Sequence, residues 1–437
     1  MSGAWRAGTA KTDITPRTPI WLAGYGGRDR PSEGVLHPIW VRALALEDGA
    51  GERVVLLTTD LCGLSRDSCE RIYAGIASRC GMSRERVLLT STHNHCSPVT
   101  EDSLVDYYPL TPSDWEGIRA YTRQLEQAVV EVAERAGEAL EPVRLETRCG
   151  FCDLAVNRRN NRETEVAAQR ASGGAPAGPV DHRVPVLSAV REDGSLLAVV
   201  FGYACHPTTL SFYRICGDYP GFAQLALEER FPQAMTFFWT GCGGDQNPLP
   251  RRTVELCAGY GAQLATAVQE ALRTPGTGLA PTLRAARAEV PLPFERLTTP
   301  AELARWSAAD SPIRRRWATR WQRRLAGGES PDAWYPYPIQ LWTLGRQRWF
   351  ALGSEAVVDF ALRIQREFGA DAWACGYAHE LIAYIPSRRV WEEGGYEGGN
   401  LYEYGLPAER WAGDVEERIF SGLGDLVQAL PPHRAAT

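Results

Sequence analysis

The segment 53–95, "RVVLLTTDLCGLSRDSCERIYAGIASRCGMSRERVLLTSTHNH", decides the fold class. One apolar run extends from Arg53 to Asp60 and a second covers Val87–Thr92, and both are typical of buried strands. Between them lies a stretch with helical spacing that ends at Gly81, a residue type that commonly follows the last turn of a helix. A strand, a helix and another strand in succession predict an α/β protein.

The same alternation continues through the rest of the chain. Segments 184–206 and 338–355 each indicate a hairpin, and 355–369 indicates a helix. We therefore predict an α/β fold with mixed β-sheets flanked by helices. We predict one domain over residues 1–437, with possible lobes at 1–290 and 291–437.

The clearest helical pattern covers residues 113–137. Ser113 and Glu116 indicate a capping box, and Gly137 indicates the end of the helix. An apolar stripe with helical spacing predicts that the helix is part of the core. The stripe consists of Ile118, Tyr121, Leu125, Val129 and Val132. Residues 164–180 look like a mobile surface loop, and residues 296–335 like a helical excursion with a basic face.

Composition excludes several classes of function. The net charge is −6 and no basic block occurs, which argues against nucleic acid as the main partner. No apolar stretch approaches the ~20 residues of a transmembrane helix. The first residues lack the apolar core of a secretory signal, so we expect a cytoplasmic protein with its eleven cysteines mostly reduced and buried. The sequence indicates no particular oligomeric state.

Two histidines, His93 and His95, follow the strand at Val87–Thr92, although the chain has only seven histidines in 437 residues. Positions i and i+2 of an extended segment point the same way, so these imidazoles form half a metal site or an acid–base pair. An isolated H-x-H motif is also compatible with a polar strand edge. Ligands from other segments must decide between these interpretations.

Other apolar strands also end in polar residues. These are Asp60, His206, the turn Gly243–Asp245, and Glu355. Because ligands of α/β proteins bind beyond the strand ends, we expect these groups to meet in one cleft. His93, His206 and Glu355 are the types of ligand that a catalytic zinc ion prefers. Each also has an ordinary explanation, His206 as a core histidine and Glu355 as an acid in the first turn of a helix.

Eight motifs in the same order resemble the catalytic domain of the neutral/alkaline non-lysosomal ceramidase family, a group of zinc amidohydrolases. They are "KTDITP" (11–16), "GYGGRDRPSEG" (24–34), "STHNHCSP" (91–98), "VNRR" (156–159), "ACHPTTL" (204–210), "CGGDQNP" (242–248), "GSEAVVDFA" (353–361) and "GYAHELIAYIPSRRVWEEGGYEGGNLYEYG" (376–405).

The resemblance implies roles for individual residues. His93, His206 and Glu355 would bind Zn²⁺, together with Tyr384, which local sequence alone presents as an ordinary strand aromatic. His95 would act as acid or base beside the metal. Arg158 would hydrogen-bond substrate or oxyanion, although neighbouring Arg159 is a second candidate. The implied activity is hydrolysis of an amide bond by metal-activated water.

The sequence also departs from the family pattern. Gly243 stands where the family has a serine proposed to take part in catalysis, so we expect Gly243 and Gly244 to offer backbone N–H groups to an oxyanion, with Asp245 shaping the turn. Cys242 is an alternative nucleophile, although a small packing residue is the simpler interpretation.

We further expect neither a signal peptide nor a C-terminal immunoglobulin-like domain. These departures favour a small or medium-sized N-acylated metabolite over ceramide. Two alternatives remain open: zinc-dependent cyclisation or acyl transfer in a biosynthetic pathway, and a non-catalytic metal- or ligand-binding protein. Other divalent metals also bind such ligands.

Overall fold

The computed structural model describes residues 4–430 of the chain, so both ends of the predicted domain, 1–3 and 431–437, lie outside the described residues. The strands are β1 (Trp5–Asp13), β2 (Gly34–Val35), β3 (Trp40–Glu47), β4 (Arg53–Thr59), β5 (Val87–Ser91), β6 (Glu141–Phe151), β7 (Ala155–Asn157), β8 (Arg183–Val190), β9 (Leu196–Tyr203), β10 (Arg214–Ile215), β11 (Met235–Thr240), β12 (Gln246–Pro248), β13 (Thr277–Gly278), β14 (Leu283–Pro293), β15 (Trp334–Leu344), β16 (Gln347–Gly353), β17 (Glu355–Ala356), β18 (Trp373–Ala378) and β19 (Tyr384–Ile385). The α-helices are α1 (Arg66–Cys80), α2 (Pro112–Glu138), α3 (Glu163–Ala171), α4 (Asp218–Arg230), α5 (Val254–Arg273), α6 (Pro300–Trp306), α7 (Pro312–Ala326), α8 (Val358–Phe368), α9 (Arg388–Glu393) and α10 (Val415–Ala429).

Most strands in the described chain form one 13-stranded mixed sheet. Twelve follow the order β11-β9-β8-β6-β1-β3-β4-β5-β18-β16-β15-β14, and β13 pairs with β6. The pairs β9/β11, β4/β5 and β16/β18 are parallel, whereas β18 and β5 meet antiparallel. Strand β14 crosses the predicted lobe boundary at residues 290/291 and continues the same sheet.

The large sheet folds back on itself. Its inner core consists almost entirely of strand residues from both halves, including Trp239 of β11, Trp349 of β16 and Trp373 of β18. The rings of these three tryptophans lie within 5.2–6.3 Å of one another, although β11 is far from β16 and β18 in the strand order. The inner faces of the two halves therefore pack against each other as in a sandwich.

Helices cover the outer faces of the sheet. Helices α1 and α2 pack on β3, β4 and β5, α4 and α5 pack on β8, β9 and β11, and α8 and α10 pack on β14–β16 and β18. The predicted α/β class with mixed sheets and flanking helices is thus confirmed. None of the helices between residues 4 and 430 has the length and apolar character needed to span a membrane.

The segment that decided the fold class has the predicted structure. Strands β4 and β5 pair in parallel across α1, and both are almost entirely buried. The side chain of Ser65 accepts a hydrogen bond from Ser68 N at the start of α1. Gly81 ends the helix with φ 66°, in the left-handed region that favours glycine. The helix and the two strands therefore follow from local signals.

Two local predictions were wrong. Helix α2 begins at Pro112, and its capping box is formed by Thr111 and Asp114 rather than Ser113 and Glu116. A proline at the first helical position needs no N–H partner, which fixes the start there. The predicted loop 164–180 contains most of α3, because Val166 is fully buried in a small apolar cluster with Val156 and Leu249.

Candidate metal centre

The four residues implied as metal ligands lie where strands end at one side of the sheet. His93 follows β5, His206 follows β9, Glu355 opens β17 and Tyr384 opens β19. Strands β17 and β19 pair in parallel with Glu355 opposite Tyr384, which brings the carboxylate and the phenol together. Each of the four side chains is at most 3% exposed.

The polar atoms of these residues converge on one point. The Nε2 atoms of His93 and His206 lie 3.2 and 2.9 Å from Oε2 of Glu355. The hydroxyl of Tyr384 lies 3.2 Å from Nε2 of His206. The nitrogen and oxygen atoms of the two histidines and the glutamate all lie within 4.8 Å of one another, which is close enough to share one ion.

The hydrogen bonds on the far side of each imidazole determine what faces the centre. Nδ1 of His93 lies 2.7 Å from the carbonyl of Cys62, and Nδ1 of His206 lies 2.7 Å from the carbonyl of Gly243. A carbonyl only accepts, so both Nδ1 atoms carry hydrogen, and in the neutral imidazole Nε2 presents a lone pair. These lone pairs face Oε2 of Glu355. An ionised carboxylate oxygen, like a lone pair, can only accept a hydrogen bond. A proton on Nε2 or a metal cation between these atoms relieves the contact, and the donor set fits a divalent metal.

The pKa values of His93, His206 and Glu355 are all shifted by burial and by their mutual contacts. Burial disfavours a charged His93, but the Glu355 carboxylate outweighs this and raises the pKa of His93 to about 10. Burial, together with the charge of Arg158, lowers the pKa of His206 to about 4. Burial opposes the charged form of Glu355 as well, yet His93 and His206 hold its pKa well below the ordinary value. A buried carboxylate beside a neutral imidazole is the ligand chemistry of a divalent cation site.

His95 lies beside this cluster, with its Nε2 atom 3.2 Å from Nε2 of His93. The two rings meet because the chain turns at His93, whose φ is 61°, and not because the strand continues through both residues as the H-x-H pattern suggested. The Nδ1 atom of His95 is buried without a hydrogen-bond partner among the described residues. Burial and the nearby histidines lower the pKa of His95 well below its ordinary value, so its imidazole is neutral.

Arg158, and not Arg159, reaches the centre. Its Nη2 donates to the Tyr384 hydroxyl at 2.9 Å, and its Nε donates to Glu397 at 2.8 Å. Burial raises the pKa of Tyr384, and the charge of Arg158 opposes that rise. Arg159 pairs instead with Glu393 and Glu397.

The glycine turn supports the site but only partly in the expected way. The N–H of Gly244 donates to the carbonyl of Ala356 at 3.0 Å, so its predicted role as an oxyanion donor was wrong. The carbonyl of Gly243 orients His206. A Cβ on Gly243 would lie 2.7 Å from the backbone nitrogen of Cys205, so this turn has no room for the serine of the family pattern.

Asp245 connects the glycine turn to neighbouring segments. Its carboxylate accepts from Val358 N at 2.8 Å and from Asn157 Nδ2 at 3.0 Å, and burial raises its pKa to about 6. Asp60, in contrast, does not join the cleft. It accepts from the backbone of Trp40 and pairs with Arg42 inside the sheet layer.

Cys242 is a packing residue. It is fully buried in an apolar cluster, and its Sγ contacts the carbonyl of Ala374 at 3.9 Å. Burial raises the pKa of this thiol well above its ordinary value, which opposes formation of the reactive thiolate.

A cavity of about 20 Å³ lies against the cluster and holds roughly one water-sized group. Besides His93, His95, Glu355 and Tyr384, its walls are Gly24, Cys62, Leu104, Tyr107, Leu381, Tyr396 and Tyr404. The sequence did not single out Tyr404, although its hydroxyl donates to Oε1 of Glu355. Tyr396 and Tyr404 belong to the last of the eight motifs, which was the available signal for them.

The fold and the buried cluster define an α/β protein with a candidate site for a divalent cation. A family model described as neutral/alkaline non-lysosomal ceramidase, N-terminal, matches residues 5–247, more than half of the chain. The chain therefore belongs to the neutral/alkaline non-lysosomal ceramidase family.

Named relatives agree with this assignment. The neutral ceramidase of Drosophila melanogaster is 23% identical over 252 residues, which cover 53% of this chain and 33% of the fly protein. The chain thus spans about a third of the length of the curated relatives it matches. The neutral ceramidase from Pseudomonas aeruginosa superposes with a TM-score of 0.76 at 19% identity, covering 100% of this chain and 76% of the bacterial one. A structure of ceramidase complexed with C2 gives a TM-score of 0.75 at 18% identity, with coverage of 99% and 77%. The superpositions show a shared fold.

Proposed function

We propose that this chain is a zinc-dependent hydrolase that cleaves an amide bond in a small or medium-sized N-acylated substrate. The observation that carries the proposal is the convergence of two imidazole Nε2 atoms and a carboxylate on one buried point. Family membership supports amide bonds as the target, because the matched relatives are ceramidases.

Different residues would bind the metal ion and transfer the proton. His93, His206, Glu355 and Tyr384 would hold the ion, which when bound supplies a Lewis acid that polarises a carbonyl and acidifies water. His95, neutral and 3.2 Å from His93, is positioned to accept a proton from water and return it to the departing amine.

Charge that develops on the substrate oxygen needs a second stabilising group. Arg158 donates to the Tyr384 hydroxyl, so its guanidinium places hydrogen-bond donors beside that position, while Glu397 balances its charge. Gly243 and Asp245 act indirectly, because they fix the orientation of His206 and the turn below it. Gly244 has a structural role only.

The cavity over the cluster offers little space for an acyl group. Aromatic rings of Tyr107, Tyr396 and Tyr404 line it, and its volume of about 20 Å³ holds roughly one water-sized group in this conformation. So narrow a space also limits the access of bulk water to the reacting atoms.

Metal analysis tests the proposal. Protein purified without chelator is expected to carry about one zinc ion per chain. His93→Ala removes a central ligand and is expected to lose most of the zinc. His182→Ala is the matched control, because His182 lies outside the centre and contacts the carbonyl of Ala155. Equal zinc in all three proteins would contradict the assignment, and so would a zinc-loaded protein inactive toward a panel of short-chain N-acyl amines and amino acids.

A further inference from the structure

A polar cleft of about 520 Å³ adjoins the candidate metal centre. Arg158, which donates to the Tyr384 hydroxyl, lines this cleft, and Tyr396 lines both the cleft and the small cavity over the cluster. The ring of Tyr396 meets the ring of Tyr384 edge-on at 5.1 Å. The two spaces are therefore separated by little more than one side chain. A substrate whose carbonyl reaches the metal would leave its amine portion in the cleft.

Most charged groups of the cleft neutralise one another. Arg158 pairs with Glu397, and Arg159 pairs with both Glu397 and Glu393. The amine portion of a substrate would meet these groups as completed ion pairs, which offer little free charge. They make the wall hydrophilic without selecting a charged ligand.

Arg251 is the exception. Its Nε donates to Oε2 of Glu163 at 3.1 Å, and the same oxygen accepts from Arg252 at 3.2 Å. One carboxylate thus serves two guanidinium groups, Arg251 inside the cleft and Arg252 outside it. Within residues 4–430, neither Nη atom of Arg251 has a hydrogen-bond acceptor, and the same is true of Nδ2 of Asn247 in the same wall.

Free guanidinium N–H groups select an oxyanion. A guanidinium binds a carboxylate through two parallel hydrogen bonds, and the single negative charge of a carboxylate matches the single guanidinium of Arg251. A phosphate monoester carries about 1.5 to 2 negative charges and matches it less well.

We infer that the cleft binds the amine portion of the substrate and that this portion carries a carboxylate, held by Arg251. The substrate class is then the N-acyl amino acids with a short acyl group. Water adds across the amide C–N bond and releases a carboxylic acid and a free amino acid. This inference rests on the proposed amide hydrolysis for its chemistry, but not for its binding site.

The test compares two probes that differ only in the group that replaces or keeps the carboxylate, N-acetyl-L-leucine with a carboxylate and N-acetyl-L-leucinol with a hydroxymethyl group. In the zinc-loaded enzyme, Arg251→Met is expected to raise KM for N-acetyl-L-leucine about tenfold or more, because it removes a charge-assisted hydrogen bond. KM for N-acetyl-L-leucinol is expected to stay unchanged. Arg252→Met is the matched control, since Arg252 pairs with the same Glu163 oxygen but does not line the cleft.

Calorimetric binding of the same probes separates this inference from the proposed function. In one outcome neither probe is cleaved, but N-acetyl-L-leucine binds more tightly than the alcohol and Arg251→Met abolishes this difference in affinity. The cleft assignment then stands and the proposed amide hydrolysis fails. If amides are cleaved while Arg251→Met affects both probes equally, or Arg252→Met acts as strongly, the carboxylate site is overturned. Failure of N-acetyl-L-leucine to bind more tightly than the alcohol overturns it as well.

Discussion

Glu380 is a buried carboxyl group outside the metal centre, with 4% of its surface exposed. It pairs with Arg66 at 3.1 Å and accepts a hydrogen bond from the Tyr335 hydroxyl at 2.9 Å. Burial outweighs the opposing charge of Arg66 and raises the pKa of Glu380 to about 7. Over part of the pH range, the Glu380 side chain is therefore protonated in the native protein but ionised in the unfolded chain.

This raised pKa predicts a pH-dependent loss of stability. Between about pH 4.5 and pH 7 the native state holds more protons at Glu380 than the unfolded state, so the free energy of unfolding falls as pH rises. The raised pKa of Glu380 contributes up to about 3 kcal/mol to the free energy of unfolding at low pH, and this contribution is fully lost above pH 7. In Glu380→Gln the contribution disappears, while the amide oxygen still accepts from Tyr335.

Urea unfolding of the wild type and Glu380→Gln at a series of pH values measures this effect. The variant is expected to gain stability relative to the wild type as pH rises from about 4.5 to 7, with no further change above. Two curves that stay parallel throughout would show that Glu380 titrates normally.

The residues of the site were predictable from sequence to different degrees. Strand ends marked His93, His206 and Glu355 by residue type and position alone, because apolar runs carry them to one side of the sheet. Tyr384 gave no local signal, since its nearness to Glu355 arises from the pairing of β17 with β19. The hydrogen bond from Gly244 to Ala356 joins segments more than 100 residues apart, so no local pattern reveals it.

Elements with strong periodicity were predictable, and elements made by contacts were not. Helix α2 and strand β5 follow from their apolar spacing. Helix α3 depends on burial of Val166 under Leu249, a contact that its glycine-rich flank conceals. Strands β17 and β19 have two residues each, too few for any pattern.

The backbone of the glycine segment at residues 24–27 packs closely against His95 of the candidate site. Gly24 has φ 96°, and a Cβ there would lie 2.3 Å from the ring of His95. Gly24→Ala is therefore expected to displace His95, to lower the free energy of unfolding by about 1–3 kcal/mol and to reduce amide turnover about 100-fold. Gly27→Ala is the matched control, because a Cβ at Gly27 meets no atom within 4 Å.

Urea unfolding and turnover of a short-chain amide measure both variants. Gly27→Ala is expected to match the wild type in each measurement. If Gly24→Ala also matched it, the approach of this segment to His95 would have no consequence for the site.

At the scale of the whole molecule, the class of fold was predictable from the sequence. The closure of the large sheet, in which its two halves pack face to face, was not. Alternating strands and helices indicated α/β layering, whereas the packing of β11 against β16 and β18 depends on tryptophans that are far apart in the chain. That closure also joins the ends of β5 and β11, where the Thr240 hydroxyl donates to the carbonyl of Thr92 beside His93. The candidate metal centre therefore depends on the folded sheet as a whole.

This dependence predicts that metal binding stabilises the entire molecule. The four proposed ligands come from segments between residues 93 and 384 and meet only in the native state, so the proposed zinc ion is expected to bind the folded chain in preference to the unfolded chain. With free zinc about 1,000-fold above the dissociation constant, the free energy of unfolding is expected to rise by about 4 kcal/mol. Urea unfolding of chelator-treated protein, with and without added zinc, measures the rise. His93→Ala is expected to show little of it. An equal rise in His93→Ala would locate the stabilising ion elsewhere, for example on the cysteines, and would remove the link between this centre and the fold.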